Sequence, residues 1–194
     1  DKYINKGKRG GAYSWGGYDT KPYVLLNYNY ELGDVSTLVH EMGHSIHSYY
    51  SRKEQSYYYA GYTLFCAEIA STTNEALLIH HLINKEQDKN KKLYLINQEL
   101  EQIRTTVFRQ LMFAEFELYT HESFEAGRPL TAEDYNTKWH ELNVKYFGPE
   151  MIVDSEIDIE WARIPHFYND FYVYQYATGY AAASAFEKSI LDGE

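Results

Sequence analysis

Two histidines four residues apart, His40 and His44, flank Glu41 in the stretch VHEMGHSIH. On an α-helix a four-residue step turns about 40° around the axis, so both imidazoles project side by side and can hold one metal ion. Glu41, one residue beyond His40, is turned by roughly 100°. It can therefore reach a water at the metal without filling a coordination position. Zinc suits such a set. It accepts imidazole nitrogen and carboxylate oxygen, keeps a position open for water, and lowers that water's pKa to about 7. The competing reading is a surface helix that merely carries histidines. Context counts against it, because the stretch lies on a helical pattern just after a strand, and Gly43 lets another backbone or the ion approach closely.

Two imidazoles do not complete a catalytic site, so a third protein ligand must come from elsewhere. The extended pattern H-E-x-x-H-x-x-G-x-x-H is excluded, since His47 stands at its glycine position and Tyr50 at its last histidine. A glutamate from a following helix is the other common source. The apolar stretch LFCAEIASTTNEALLIHHLI offers Glu68 and Glu75. A carboxylate in such a setting is costly unless it is paired or metal-bound, which leaves both open. Glu75 could equally orient a ligand histidine or form a plain ion pair. His47 reads as a hydrogen-bonded or core histidine, and His80 and His81 as dipole partners near a helix end. His121 and His140 have no motif around them. Cys66, two residues before Glu68, points away on a helix and reads as core packing.

The elements that must position these residues are mostly helical. GAYSW, the turn-like GGYDTKP and the β-rich YVLLNYNY predict a hairpin or two neighbouring strands. After ELGD a helix begins, with Asp34 as N-cap and Val35, Val39, Met42, Ile46 and Tyr49 on one apolar stripe. His40 and His44 lie off that stripe. A second helix spans about Thr63 to Asn84 and is apolar nearly all round, as a buried helix is. A long pattern without Pro or Gly runs from about Asp88 to Ala126, ended by Gly127 and Pro129. Thr131 and Asp134 form a capping-box-like start to a helix ending near Phe147. VDSEIDIEWARIP reads as a loop, and its Pro165 leads into a last aromatic-rich helix. The fold class expected is mainly α with one small N-terminal sheet.

The chain has 194 residues and a formal net charge of -10. Its size suits one domain, or one large piece of a bigger one. Basic residues are scattered and outnumbered, which argues against nucleic acid as a partner. The single cysteine permits no internal disulfide and fits a reducing, cytoplasmic setting. No apolar run approaches the roughly 20 residues that span a bilayer, so no membrane partner is expected. The missing initiating Met and the uncapped final stretch YAAASAFEKSILDGE suggest a fragment of a longer polypeptide. PYVLLNYNY could bind a peptide by strand addition, and the glycine-rich GKRGGAYSWGG could cover it. An amidase-type zinc enzyme and a structural metal site are the rival classes; Glu41 argues against the second, which has no use for a base.

TLVHEMGHSIH, followed by CAEIASTTNEALL, resembles the oligoendopeptidase F family, within the wider thimet-oligopeptidase group of zinc metallopeptidases. The similarity extends from KRGGAYSW and PYVLLNYN through HFYNDFYVYQYATGY. The resemblance implies a multi-helix, zincin-like catalytic domain over residues 1–194 that binds Zn2+ and cleaves oligopeptides in a deep channel. It also implies that Glu68, in AEIAS, is the third ligand beside His40 and His44, with Glu41 as general base. A histidine and tyrosines from the C-terminal region would face the metal, and the matching residues are His166, Tyr172, Tyr174 and Tyr176. Only the C-terminal half of such an enzyme would be present, so the N-terminal remainder of the full-length enzyme is an expected partner.

Overall fold

In the computed structural model, residues 5–8 and 10–193 are described. Strands Tyr13–Trp15 (β1) and Tyr23–Leu25 (β2) pair antiparallel, with Ser14 opposite Val24. Their connection is tightened where the Gly17 amide donates to Thr20 Oγ1 at 2.7 Å. Helices Leu32–Glu54 (α1) and Leu64–Lys85 (α2) follow. Lys89–Ile103 (α3) leads through a π-helical turn at Arg104–Phe108 into Arg109–Glu125 (α4). Ala132–Phe147 (α5) and Tyr174–Asp192 (α6) complete six α-helices among the described residues. The fold is thus mainly α with one small two-stranded sheet. No described helix is long and apolar enough to cross a membrane.

Several elements begin and end where local chemistry dictates. Asp88 Oδ1 accepts from the Asn90 and Lys91 amides at 3.0 Å each, capping α3. Gly127, at φ +70°, closes the long helical run. Thr131 and Asp134 form the expected capping box, Asp134 Oδ2 accepting from the Thr131 amide at 2.7 Å. Asp34 differs from expectation. It is the third residue of α1 and not its N-cap; its carboxylate reaches back to the Glu31 amide at 3.0 Å and the Asn29 amide at 2.7 Å. Asp34 thus serves amides that precede it, as the N3 half of a capping box with Glu31, and the helix starts about a turn earlier than expected.

VDSEIDIEWARIP is not an open loop but carries a 3-10 helix at Ser155–Arg163. Periodicity could not reveal it, because its anchors are tertiary. Glu160 pairs with Arg109 at 2.6 Å and also with Arg163, Asp158 pairs with His140 at 2.7 Å, and the Trp161 indole donates to Asn136 at 2.8 Å. Pro165 opens only a short 3-10 turn, Pro165–Tyr168, before α6 starts.

The chain divides into two compact units, Asp1–Asn97 with Gly179–Glu194, and Gln98–Thr178. Within the second unit lies an apolar core built from Met112, Phe113 and Phe116 of α4, Trp139 and Leu142 of α5, and Ile164 and Val173. Phe116 meets Trp139 edge to face at 4.9 Å. Burial of each such side chain stabilises by about 1.5–3 kcal/mol.

The first unit is organised differently, by close approach of α1 and α2. Its buried residues there are small or polar: Glu41, Gly43 and Ser45 on α1, and Ala67, Ser71, Thr72 and Thr73 on α2. The stripe expected on α1 is therefore not its packed face. Met42, Ile46 and Tyr49 are exposed, because the helices close through their small residues and not their large ones. The expectation of a buried α2 is corrected for the same reason: Phe65, His80 and His81 are exposed. Cys66 is exposed too and does not pack in a core, since it lies in the uncovered first turn of α2.

Candidate metal centre

His40 and His44 stand one turn apart on α1, and their Nε2 atoms approach to 3.1 Å. Two neutral imidazoles with lone pairs aimed at one point repel unless a cation or a proton lies there. Glu68 of α2 closes the triangle, its Oε2 lying 3.5 Å from His40 Nε2 and 3.7 Å from His44 Nε2. A tetrahedral zinc with bonds of about 2.0–2.1 Å holds its ligand atoms about 3.3–3.4 Å apart, so the three separations bracket what the ion requires. These three residues form a group able to hold a metal ion, each partly open to solvent. A closed structural site would need a fourth protein ligand.

The helix pair makes this convergence possible. A Cβ at Gly43 would lie 2.7 Å from Ser71 Cα and 2.9 Å from the Ala70 carbonyl oxygen. Only glycine allows α2 so near, and Glu68 is one turn before Ser71. The Asn74 amide group donates to the Val39 carbonyl at 2.8 Å, which locks the helices in register. Ser14 of β1 meets Ser45 at 2.9 Å and joins the hairpin to α1.

The surrounding groups set orientation and charge. Glu75 Oε2 lies 3.0 Å from His40 Nδ1, so the carboxylate accepts a hydrogen bond from Nδ1–H and leaves the Nε2 lone pair toward Glu68 and His44. Ser36 Oγ donates to the other oxygen, Oε1, at 2.9 Å. Ser71 Oγ donates to Glu68 Oε2 at 3.1 Å. Burial pulls the His40 pKa down, but the Glu75 hydrogen bond and the charges of Glu75, Glu68 and Glu41 outweigh it and raise the imidazole above 6.5. His44 is lowered, chiefly by burial. Glu41 is 6% exposed, and no hydrogen bond reaches its carboxylate among the described residues. A buried, unengaged carboxylate beside the triangle is chemically suited to accept a proton.

Of the remaining candidates, His166, Tyr172 and Tyr176 come together within the second unit. The Tyr176 hydroxyl lies 3.5 Å from His166 Nε2 and 3.3 Å from the Tyr172 hydroxyl. Tyr174 is not part of that cluster and is 44% exposed. His47 stacks on Tyr62 at 3.9 Å, lowered in pKa by burial and by His44. His121 bonds the Glu117 carbonyl at 2.9 Å. Ser36 and Ser71 escaped the sequence reading. Ser36 sits one turn before His40 on the same helix face, a signal that could have found it.

The chain is 56% identical over 191 residues to the Oligopeptidase PepF of Bacillus subtilis, covering 98% of this chain and 28% of that protein. It is 51% identical over 189 residues to the chromosomal Oligoendopeptidase F of Lactococcus lactis subsp. cremoris, covering 97% and 31%. The crystal structure of oligoendopeptidase-F from Enterococcus faecium superposes with a TM-score of 0.73 at 48% identity, over 84% of this chain and 29% of that one. The chain thus spans about 30% of the length of these relatives. The family profile of Peptidase family M3 matches all of residues 1–194, the paired helices and their convergent side chains included, and the chain belongs to that family.

Proposed function

We propose that this chain is the catalytic portion of a longer, cytoplasmic, zinc-dependent oligoendopeptidase that hydrolyses internal bonds of short peptides. His40, His44 and Glu68 hold Zn2+. Bound there, the ion would supply Lewis acidity at the scissile carbonyl and a water whose pKa is lowered to about 7. Glu41 takes the proton from the attacking water and delivers it to the departing amine nitrogen, so that one carboxylate serves as base and then as acid. His166, with one of Tyr172, Tyr174 and Tyr176, donates hydrogen bonds to the carbonyl oxygen as it becomes an oxyanion; the family resemblance supports this role, and the clustering of His166 with Tyr172 and Tyr176 favours those two tyrosines. A substrate backbone adds to the β2 edge that β1 does not occupy.

The observation that carries the reading is the convergence of His40, His44 and Glu68 at 3.1–3.7 Å beside the buried Glu41. Zinc content and cleavage of an internally quenched peptide test it, in the full-length polypeptide and its Glu41→Gln variant. About one zinc per chain is expected in both, with hydrolysis reduced about 10²–10⁴-fold in the variant. Wild-type protein that binds no zinc, or a variant as active as wild type, refutes it.

A further inference from the structure

The hydroxyl of Ser36 has an unusual partner for its position. Serines and threonines inside helices usually return their hydroxyl to the carbonyl one turn back. Thr37 does so to Gly33 at 2.9 Å, Ser45 to Glu41 at 3.0 Å, and Thr73 to Ile69 at 2.7 Å. Ser36 instead reaches from α1 to α2 and donates to Glu75 Oε1 at 2.9 Å, across 39 positions of sequence. The other Glu75 oxygen, Oε2, accepts from His40 Nδ1 at 3.0 Å. The two donors thus take one oxygen each.

A carboxylate held at one oxygen only can rotate about its last torsion, and that torsion has a broad minimum. With Oε1 fixed by Ser36, Oε2 keeps its direction toward Nδ1, and the His40 ring plane is fixed with it. Ser36 and His40 are one turn apart on α1, so the relay closes a ring through the helix itself: Ser36, Glu75, His40. Ser71 does not do the same for Glu68. Its hydroxyl divides between Glu68 Oε2 and the Glu68 carbonyl, both at 3.1 Å, so much of that contact is a bond local to α2.

We propose that Ser36 is a positioning residue for the metal centre, acting through Glu75 to set the orientation of His40. The inference rests on the reading of His40, His44 and Glu68 as zinc ligands. Loss of a partner that orients a metal-bound histidine weakens metal binding about 10–100-fold, and Ser36, one bond further out, belongs at the lower end, about tenfold.

The test is the Zn2+ affinity of the full-length polypeptide, by competition with a chromogenic chelator at fixed pH, for wild type, Ser36→Ala, Ser36→Thr, Glu75→Ala and the Ser36→Ala/Glu75→Ala pair. The expected result is about tenfold weaker binding in Ser36→Ala, recovery of most of it in Ser36→Thr, and no further loss when Ser36→Ala is added to Glu75→Ala. The unfolding temperature of the chelated protein should be the same for wild type and Ser36→Ala. Unchanged affinity, equal weakening in both backgrounds, or a lowered unfolding temperature in place of weaker zinc binding each overturns the proposal. A wild-type protein without zinc brings down the metal-centre reading itself, and the inference with it.

Discussion

Gly43 of α1 lies against the backbone of Ser71 on α2 so closely that a methyl group at position 43 would stand 2.7 Å from Ser71 Cα. Neither Ser71 Cα nor the Ala70 carbonyl can swing aside as a side-chain tip could, so the whole helix must move. Gly43→Ala is therefore expected to weaken Zn2+ binding about tenfold or more, because Glu68 travels with α2. The strain, about 1–3 kcal/mol, exceeds the roughly 1 kcal/mol by which alanine favours a helix over glycine. Chelator competition beside far-ultraviolet circular dichroism checks this. Helix content should stay while zinc affinity falls; unchanged affinity would mean that the helix spacing does not set the ligand triangle.

In the proposed zinc site, the His40–Glu75 bond makes metal loading depend on pH with a definite sign. Burial lowers the His40 pKa, but the Glu75 hydrogen bond and the neighbouring carboxylates outweigh it and hold the imidazole above 6.5 in the metal-free protein. Zinc needs the neutral ring, so the ion must displace a proton below that raised value. Affinity is expected to be level at higher pH and to fall as pH drops through a window opening above 6.5, by about tenfold per unit for each proton displaced. Glu75→Gln removes the largest of the raising influences and should move that window down. Zinc titrations from mildly alkaline to mildly acid pH measure it, and an identical window in the variant would contradict the account.

Legibility from sequence divided along the line between local and tertiary causes. The facing of His40 and His44 follows from helical periodicity alone, and so do the Thr131–Asp134 box and the stop at Gly127. Glu68 and Glu75 were equivalent by spacing, seven residues apart and both on α2; what separates them is that Glu68 reaches Nε2 while Glu75 reaches Nδ1. That distinction depends on helix register, set by Gly43 against Ser71 and by Asn74 on Val39, which no pattern along one helix encodes. The apolar residues Met42, Ile46 and Tyr49 misled for the complementary reason: a hydrophobic stripe says which face could pack, and the small residues decided which face did.

Glu117 of α4 supplies a prediction about stability. It is 3% exposed, and its Oε1 accepts from the amide of Phe171, whose φ of 53° is a left-handed corner rarely adopted by such a residue. Burial raises its pKa above 4.5, and the Phe171 amide and His121 only partly offset this. A carboxyl raised in the folded state contributes stability that is full below its unfolded value and is lost as pH rises through the folded value. Glu117→Gln keeps an oxygen for the Phe171 amide and removes the titration. The variant's unfolding temperature should therefore depend less on pH than the wild type's between about 4.5 and neutrality, gaining on it as pH rises. Thermal unfolding across that range decides; a gap between the two proteins that is constant with pH would exclude burial of a titrating Glu117 as the cause.

The tyrosines near His166 can be separated by geometry. The Tyr172 and Tyr176 hydroxyls lie 3.3 Å apart and Tyr176 meets His166, whereas Tyr174 is turned out of that cluster. Tyr172 precedes α6 and Tyr176 lies in its first turn, so the chain's entry into the helix, and not helical spacing, brings the two hydroxyls together. A donor that steadies an oxyanion contributes about 10²–10³-fold to kcat. Replacing Tyr172 or Tyr176 by Phe in the full-length polypeptide should therefore lower kcat on a quenched peptide by up to that factor in at least one case, with zinc content unchanged. Tyr174→Phe should leave kcat within about twofold of wild type, because a half-exposed hydroxyl outside the cluster is not preorganised for the developing charge. The reverse order, with Tyr174→Phe the damaging change, would assign the donor to the outward-facing side of the helix and remove His166, Tyr172 and Tyr176 from that role as a group.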